Sequence, residues 1–220
     1  PWMKQVRETD AARVGSALQV EGGTEEDLAA LFSPAAAPFL EAMAQRAQKL
    51  TRRHFGNTIE LYIPLYLSDY CSGGCAYCGF ASDRKQKRSK LSPAQLKNEL
   101  TALKKMGFAE ILLLTGERTP RCGPSFLRRC VEITAHRFHR VTLEAFPMST
   151  EEYRSMADAG CTGVTLYQET YAPCSYAALH RWGPKRKYLN RLETPGRALE
   201  AGIRTIGLGV LLGLADPVFD

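Results

Sequence analysis

Three times along the chain an apolar stripe at helical spacing runs into a glycine, then one apolar residue, then an apolar run. The junctions are Gly107-Phe108, Gly160-Cys161 and Gly202-Ile203. Leu96, Leu100 and Leu103 form the first stripe; Tyr153, Met156 and Ala157 form the second. A glycine closes a helix because it tolerates the left-handed backbone needed there. The helix starts are equally plain. Ser92 with Pro93 and Gln95, and Ser149 with Glu152, read as capping boxes, and Thr194-Pro195 opens a third helix. Residues 126–139 form another helical stretch. The strands expected between these helices are 61–67, 111–115, 141–145, 164–168 and 205–212. Pro64 weakens the first, because proline cannot donate to a ladder. Repeated helix-then-strand units predict a parallel sheet with helices outside it. Both an open doubly wound sheet and a barrel fit that pattern.

Residues 1–57 predict a helical lead-in. Thr24 caps a helix with Glu25, Glu26 and Asp27 in its first turn. Ser33-Pro34 starts another, whose stripe is Leu40, Met43, Ala44, Ala47 and Leu50. The expected organisation is thus a helical segment over 1–57 and an α/β domain over 58–220. A complete eight-stranded barrel takes about 250 residues. Five strands in the second segment therefore read as a barrel truncated to its first five strands.

Composition narrows the function classes. Hydrophobic residues make up 45% of the 220 positions and charged ones 24%, as in a soluble domain. No apolar run approaches the roughly 20 residues of a membrane helix, so no membrane association is expected. Residues 1–10 are polar and lack a signal-peptide core, so a cytoplasmic location is expected. A net charge of +6 is mild, and nucleic acid is not an expected partner. Seven cysteines, an odd number, point to metal chemistry or catalysis in a chain without a secretory signal.

Three of the seven are concentrated at Cys71-Ser72-Gly73-Gly74-Cys75-Ala76-Tyr77-Cys78, directly after the first strand. Loops at the C-terminal ends of strands carry the chemistry of parallel α/β folds. Three thiolates spaced Cys-x3-Cys-x2-Cys can each hold one iron of a 4Fe–4S cube and leave the fourth iron open. Zinc is the alternative, but it favours four protein ligands, and no second cysteine pair or nearby histidine supplies the fourth. Inert buried thiols are the third reading. His54, His136, His139 and His180 show no ligand spacing. Cys122, Cys130, Cys161 and Cys174 read as ordinary buried or loop thiols. The basic run 84–90 reads as a solvated loop, with an anion site or docking of an acidic electron donor as its functional alternative.

This motif, with aromatic Tyr77 before its last cysteine, resembles the radical S-adenosylmethionine (SAM) superfamily. Further segments resemble one family within it, the 2-iminoacetate synthases. They are residues 65–68, Cys78-Gly79-Phe80, 113–117, 167–171, 191–195 and 206–209. The lead-in segments 31–36 and 55–58 resemble that family as well. The resemblance implies a radical SAM (β/α) barrel whose cofactors are a 4Fe–4S cluster on Cys71, Cys75 and Cys78 and SAM itself. It implies SAM contacts from Tyr77, Thr115, Gly116, Glu117 and Glu144, with Glu117 at the amino group and Glu144 at the ribose. Gln168, Glu169 and Arg191 are the expected catalytic residues. Physical chemistry agrees for the strand-end acids and for Arg191, which can fork onto a carboxylate. The implied reaction is cleavage of the Cα–Cβ bond of L-tyrosine to p-cresol and 2-iminoacetate, for thiamine thiazole biosynthesis. The implied partners are a thiazole synthase and a flavodoxin- or ferredoxin-type electron donor. Sister lyases acting on tyrosine in hydrogenase maturation, or on tryptophan, share the early motifs. A non-catalytic fragment, or a zinc-holding module that binds nucleic acid, is the reading from another class.

Overall fold

The computed structural model describes residues 2–220, and they divide into two compact units, one running to Glu60 and one from Leu61 to Val218. The first unit is helical. It contains α1 (Trp2–Glu8), α2 (Ala11–Ala17), α3 (Glu25–Leu31), a 3-10 turn (Pro34–Phe39) and α4 (Leu40–Phe55). Thr24 caps α3 in a reciprocal box with Asp27, whose carboxylate accepts the Thr24 amide at 2.8 Å and also pairs with Arg13 at 2.7 Å. A small core of Val14, Ala17, Leu18, Ala30 and Ala36 holds the unit. The stripe expected along α4 is not a core face. Of its five residues only Met43 packs on that core, while Leu40 and Leu50 are exposed. Ser33-Pro34 opens the 3-10 turn and not the long helix.

The second unit alternates strand and helix. The order is β1 (Tyr62–Ser68), α5 (Pro93–Lys105), β2 (Glu110–Thr115), α6 (Pro124–Ala135), β3 (Arg140–Glu144), α7 (Thr150–Asp158), β4 (Gly163–Thr165), α8 (Pro173–Leu179), α9 (Tyr188–Leu192), α10 (Thr194–Glu200) and β5 (Thr205–Gly207). All four neighbouring strand pairs are parallel, and the spatial order β1-β2-β3-β4-β5 is the chain order. A doubly wound sheet reverses direction at a switch point. No reversal occurs here, so the wall is of the barrel type. It comprises five of the eight strands of a (β/α) barrel. Gly107, Gly160 and Gly202 all take positive φ of 93–103° at the helix ends, as their place in the repeated junction requires.

The core forms where apolar strand faces meet the helices: Leu67, Leu96, Leu100, Ile111, Leu113, Leu127, Leu143, Tyr153 and Met156 are almost wholly buried. Burying one such side chain is worth about 1.5–3 kcal/mol. Pro64 is accommodated because β1 pairs only with β2 among the described residues. The β1–β2 register slips between Tyr66 and Ser68, which redirects the chain into the cysteine loop.

Two strands are shorter than their apolar runs suggest. β4 stops at Thr165, and β5 covers Thr205–Gly207 only. A Cβ at Gly207 would come within 2.6 Å of the Thr165 hydroxyl, and one at Gly209 within 2.6 Å of the Tyr167 ring. These two glycines let the chains approach closely where the ladder ends. Leu208 and Leu212 beyond it are exposed. Helix α6 starts at Pro124 and ends at Ala135, earlier at both ends than expected. Glu193, not Thr194, occupies the N-cap position of α10.

Candidate metal and cofactor site

A cavity of about 230 Å³ opens at the C-terminal ends of β1–β4. Cys71, Cys75, Cys78, Tyr77, Thr115, Gly116, Glu117, Glu144, Glu169 and Arg191 all line it. Strand topology explains the convergence. Ser68, Thr115 and Glu144 end β1, β2 and β3 side by side, and the polar residues that follow each strand turn into one mouth.

The cysteine loop is ordered by backbone hydrogen bonds. Amides of Gly73 and Glu117 each donate to the Cys71 sulfur at 3.3 Å, and Phe80 N–H donates to Cys78 Sγ at 3.4 Å. Gly116 is required by contact: a Cβ there would lie 2.6 Å from Cys71 Cβ and 2.7 Å from the Tyr70 carbonyl. The basic run 84–90 does not act as a solvated loop throughout. Arg88 donates to the carbonyls of Asp69, Phe80 and Ala81, Arg84 to that of Ala76, and Lys90 to that of Arg121. These side chains pin the loop around the cysteines.

A second segment straps the loop from the other side. Gly74 N–H donates to the Trp182 carbonyl at 3.0 Å and Ala76 N–H to that of Leu179 at 2.9 Å, with Cys75 and His180 paired antiparallel. The Trp182 ring lies against Gly74, where a Cβ would sit 2.2 Å from it. Arg181 binds the Gly74 carbonyl at 2.9 Å and pairs with Asp83 at 2.9 Å. His180 is fully buried. Its Nδ1 donates to the Tyr176 carbonyl at 2.8 Å, so Nε2 accepts the Tyr77 hydroxyl at 2.7 Å. Burial, reinforced by Lys185 and Arg191, pushes His180 down to about 4, so it is neutral near pH 7. Burial, with the nearby Glu169, also raises Tyr77 far above the ordinary phenol range.

Two ion pairs cross the cavity. Arg191 Nη1 donates to Glu117 Oε1 at 2.7 Å, and Arg191 Nε donates to the Tyr167 carbonyl at 2.8 Å. Glu117 Oε2 is buried without a partner. Lys185 Nζ meets Glu169 Oε1 at 2.6 Å. Glu169 itself adopts φ of 73°, a conformation that a non-glycine residue holds only when its surroundings impose it. Burial first, and Glu169 second, raise the Glu144 carboxyl. Four acids (Asp69, Glu117, Glu144, Glu169) face two bases (Lys185, Arg191) in the lining, a surplus that favours cationic groups of a ligand.

Among the residues singled out from the sequence, Gln168 lies outside the cavity lining. It is buried, and its Nε2 reaches the Tyr188 carbonyl at 3.5 Å. Sequence reasoning missed His180 and Lys185. His180 lies 103 residues from Tyr77 and lacks ligand spacing, and Lys185 reads as one more surface charge. Pro173 and Pro184, each at the first position of a helical turn, were the available signals that the segment carrying them is ordered.

The residues fit an iron–sulfur cube better than a single ion. All three cysteines are free thiols, two of them already accepting amide hydrogen bonds. Among the described residues no three His, Cys, Asp or Glu side chains converge on one point as a single metal ion needs. A cube instead offers a separate iron corner to each of the three cysteine sulfurs. The orphaned oxygen of Glu117, a residue whose amide donates to the Cys71 sulfur, is the kind of acceptor that a ligand ammonium satisfies.

The family model of the radical SAM superfamily matches residues 65–217, which include this cavity and all of the barrel wall but the first three residues of β1. The chain belongs to the radical SAM superfamily. Its cofactors are accordingly a 4Fe–4S cluster and S-adenosylmethionine. The chain is 44% identical to the 2-iminoacetate synthase of Escherichia coli (strain K12), and 45% identical to that of Salmonella typhimurium, over 206 residues. Both alignments cover 94% of this chain and 55% of the relative. The chain thus spans about half the length of the curated relatives it matches. The crystal structure of HydG, a maturase of the [FeFe]-hydrogenase, superposes with a TM-score of 0.93 at 28% identity, covering 99% of this chain and 50% of that one. No helix among the described residues is long and apolar enough to cross a membrane.

Proposed function

We propose that this chain carries the cluster- and SAM-binding half of a radical SAM lyase that cleaves the Cα–Cβ bond of L-tyrosine to p-cresol and 2-iminoacetate. The observation that carries this reading is Glu117. One oxygen is fixed by Arg191, the other is buried and bare, and the Glu117 amide bonds the cysteine loop at Cys71. The substrate assignment rests on the 44–45% identity to the 2-iminoacetate synthases.

A 4Fe–4S cluster and SAM, when bound, would supply the radical chemistry, which would begin at the substrate amino group. The protein's residues bind, orient and exclude water. Cys71, Cys75 and Cys78 would hold three irons of the cluster. Glu117 Oε2 accepts the SAM ammonium, with Thr115 and Gly116 beside it. Glu144, at the end of β3, binds the ribose hydroxyls, and its raised pKa suits a partly desolvated acceptor. Lys185 and Arg191 bring positive charge for a carboxylate, of SAM or of tyrosine, while Glu169 holds Lys185 in place. The Tyr66 and Phe80 rings, 5.8 Å apart, wall one side of the mouth against water. Product delivery to a thiazole synthase, electrons from a flavodoxin- or ferredoxin-type donor and a cytoplasmic setting complete the reading.

Incubating the anaerobically reconstituted protein with SAM, dithionite and tyrosine tests it. Formation of p-cresol with 5′-deoxyadenosine supports the assignment. Formation of 3-methyl-2-indolic acid from tryptophan instead overturns it. The likeness to HydG favours one second reading, a tyrosine lyase of hydrogenase maturation. A second, C-terminal cluster in the complete protein would identify that sister enzyme.

A further inference from the structure

The backbone that carries Glu117 is tied to the cysteine loop at two atoms. The Glu117 amide donates to Cys71 Sγ at 3.3 Å, and the Arg118 carbonyl accepts the Ser72 hydroxyl at 2.7 Å. The Arg118 side chain runs the other way, to α7. Its guanidinium forks onto Glu152, Nη1 to Oε1 at 3.0 Å and Nη2 to Oε2 at 2.7 Å. Glu152 is itself fixed, because its Oε2 accepts the Ser149 amide at 3.0 Å in the capping box that starts α7. The same guanidinium lies 4.9 Å from the centre of the buried Phe146 ring. Phe146 stands two residues after Glu144, so one arginine braces the loops that follow β1, β2 and β3. Neither Arg118 nor Glu152 is in the cavity lining. Their side chains are 40% and 29% exposed, so the pair adds little to stability. A bidentate fork does, however, fix orientation as well as distance.

We propose that Arg118 is a positioning residue for Glu117: by clamping the segment after β2 onto the start of α7, it fixes where the bare Glu117 oxygen meets the SAM ammonium. Arg191 holds the tip of the Glu117 side chain through Oε1. Arg118 and the cysteine loop hold its base. A Cβ at Gly73 would lie 3.6 Å from Glu117 Cγ, so the side chain runs along the loop with little room to re-aim. Hydrogen bonds weaken steeply when donor and acceptor are misaligned. A small shift of the Glu117 backbone therefore costs affinity even with every group in the cavity still present. The inference rests on the reading of Glu117 as the acceptor for SAM.

The test is equilibrium binding of SAM to the anaerobically reconstituted protein, with iron content and thermal unfolding measured alongside. Arg118→Met keeps an apolar stem over Phe146 and removes the fork. SAM affinity falls about 2- to 30-fold, the range expected for coupling through a residue that does not touch the ligand, while iron content stays at the wild-type level. Glu152→Gln keeps an oxygen for the Ser149 cap but loses the charged fork, and lowers SAM affinity in the same direction. The two losses are not additive, because both variants break one contact. In a Glu117→Gln background Arg118→Met lowers affinity little further, since the acceptor it aims is already gone. Should Arg118→Met fail to fold, Glu152→Gln decides alone. Unchanged SAM affinity in these variants, even with a lower melting temperature, overturns the proposal and leaves the Glu117 reading intact. A loss that persists in full in the Glu117→Gln background overturns it as well. If Glu117→Gln by itself leaves SAM affinity unchanged, the Glu117 reading and the proposal both fall.

Discussion

Arg191 holds Glu117 by one oxygen only, across 2.7 Å, and leaves the other buried and unpaired. Both side chains are less than a tenth exposed, so the pair is not screened by solvent. The arrangement reads as a carboxylate half-neutralised and half-reserved: the guanidinium makes burial tolerable, and the free oxygen waits for a cation. Glu117→Gln replaces one oxygen by a donor that repels an ammonium. A charge-assisted hydrogen bond contributes about 1.5–3 kcal/mol, so SAM affinity falls about 10- to 100-fold while iron content stays unchanged. Equilibrium binding on the reconstituted protein measures this.

Arg191→Met removes the partner and strands a buried carboxylate. Breaking a buried pair from one side costs about 3–5 kcal/mol. Thermal or denaturant unfolding shows that loss in Arg191→Met, and the double variant Arg191→Met/Glu117→Leu recovers much of it.

Gly116→Ala places a methyl group 2.6 Å from Cys71 Cβ and 2.7 Å from the Tyr70 carbonyl. The backbone around Cys71 must move, at about 1–3 kcal/mol. Iron content after reconstitution falls in Gly116→Ala. It is unchanged in Gly79→Ala, where nothing stands within 4 Å.

Asp27 gives the helical unit a pH dependence. Hydrogen bonds from Thr24, with Arg13 beside them, lower its carboxyl from 3.8 to about 2. The folded state thus binds its proton more weakly than the unfolded chain, and stability is lost as pH falls. The stability gap between wild type and Asp27→Asn is full above about pH 4 and closes toward pH 2. Unfolding curves at stepped pH read this gap directly.

Local features carry most of what the sequence revealed. The three cysteines lie on one loop, so their spacing pointed to an iron–sulfur cube, with zinc and inert thiols as the alternatives. Glu117 and Glu144 were legible because each ends an apolar run, and parallel strands place such ends together. The repeated glycine junctions gave the parallel sheet with helices outside it, but fitted an open sheet and a barrel equally. Features made by distant segments were not legible. The His180–Tyr77 and Lys185–Glu169 contacts depend on how the segment after β4 folds back over the cysteine loop, which no local period records. The overlong strands are a different case: hydrophobicity continues through 205–212, but the regular ladder stops at Thr165 and Gly207, and beyond it only a bridge joins Glu169 and Val210. Gln168 shared a polar strand-end segment with Glu169, yet the backbone turn at Glu169 sends their side chains to different places.

The most direct test of the site is the paramagnetic resonance spectrum of the dithionite-reduced, oxygen-free protein with and without SAM. The account predicts a reduced 4Fe–4S signal whose shape changes when SAM binds, and its disappearance in Cys75→Ser. A protein with no cubane signal, or with one that SAM leaves untouched, would contradict it.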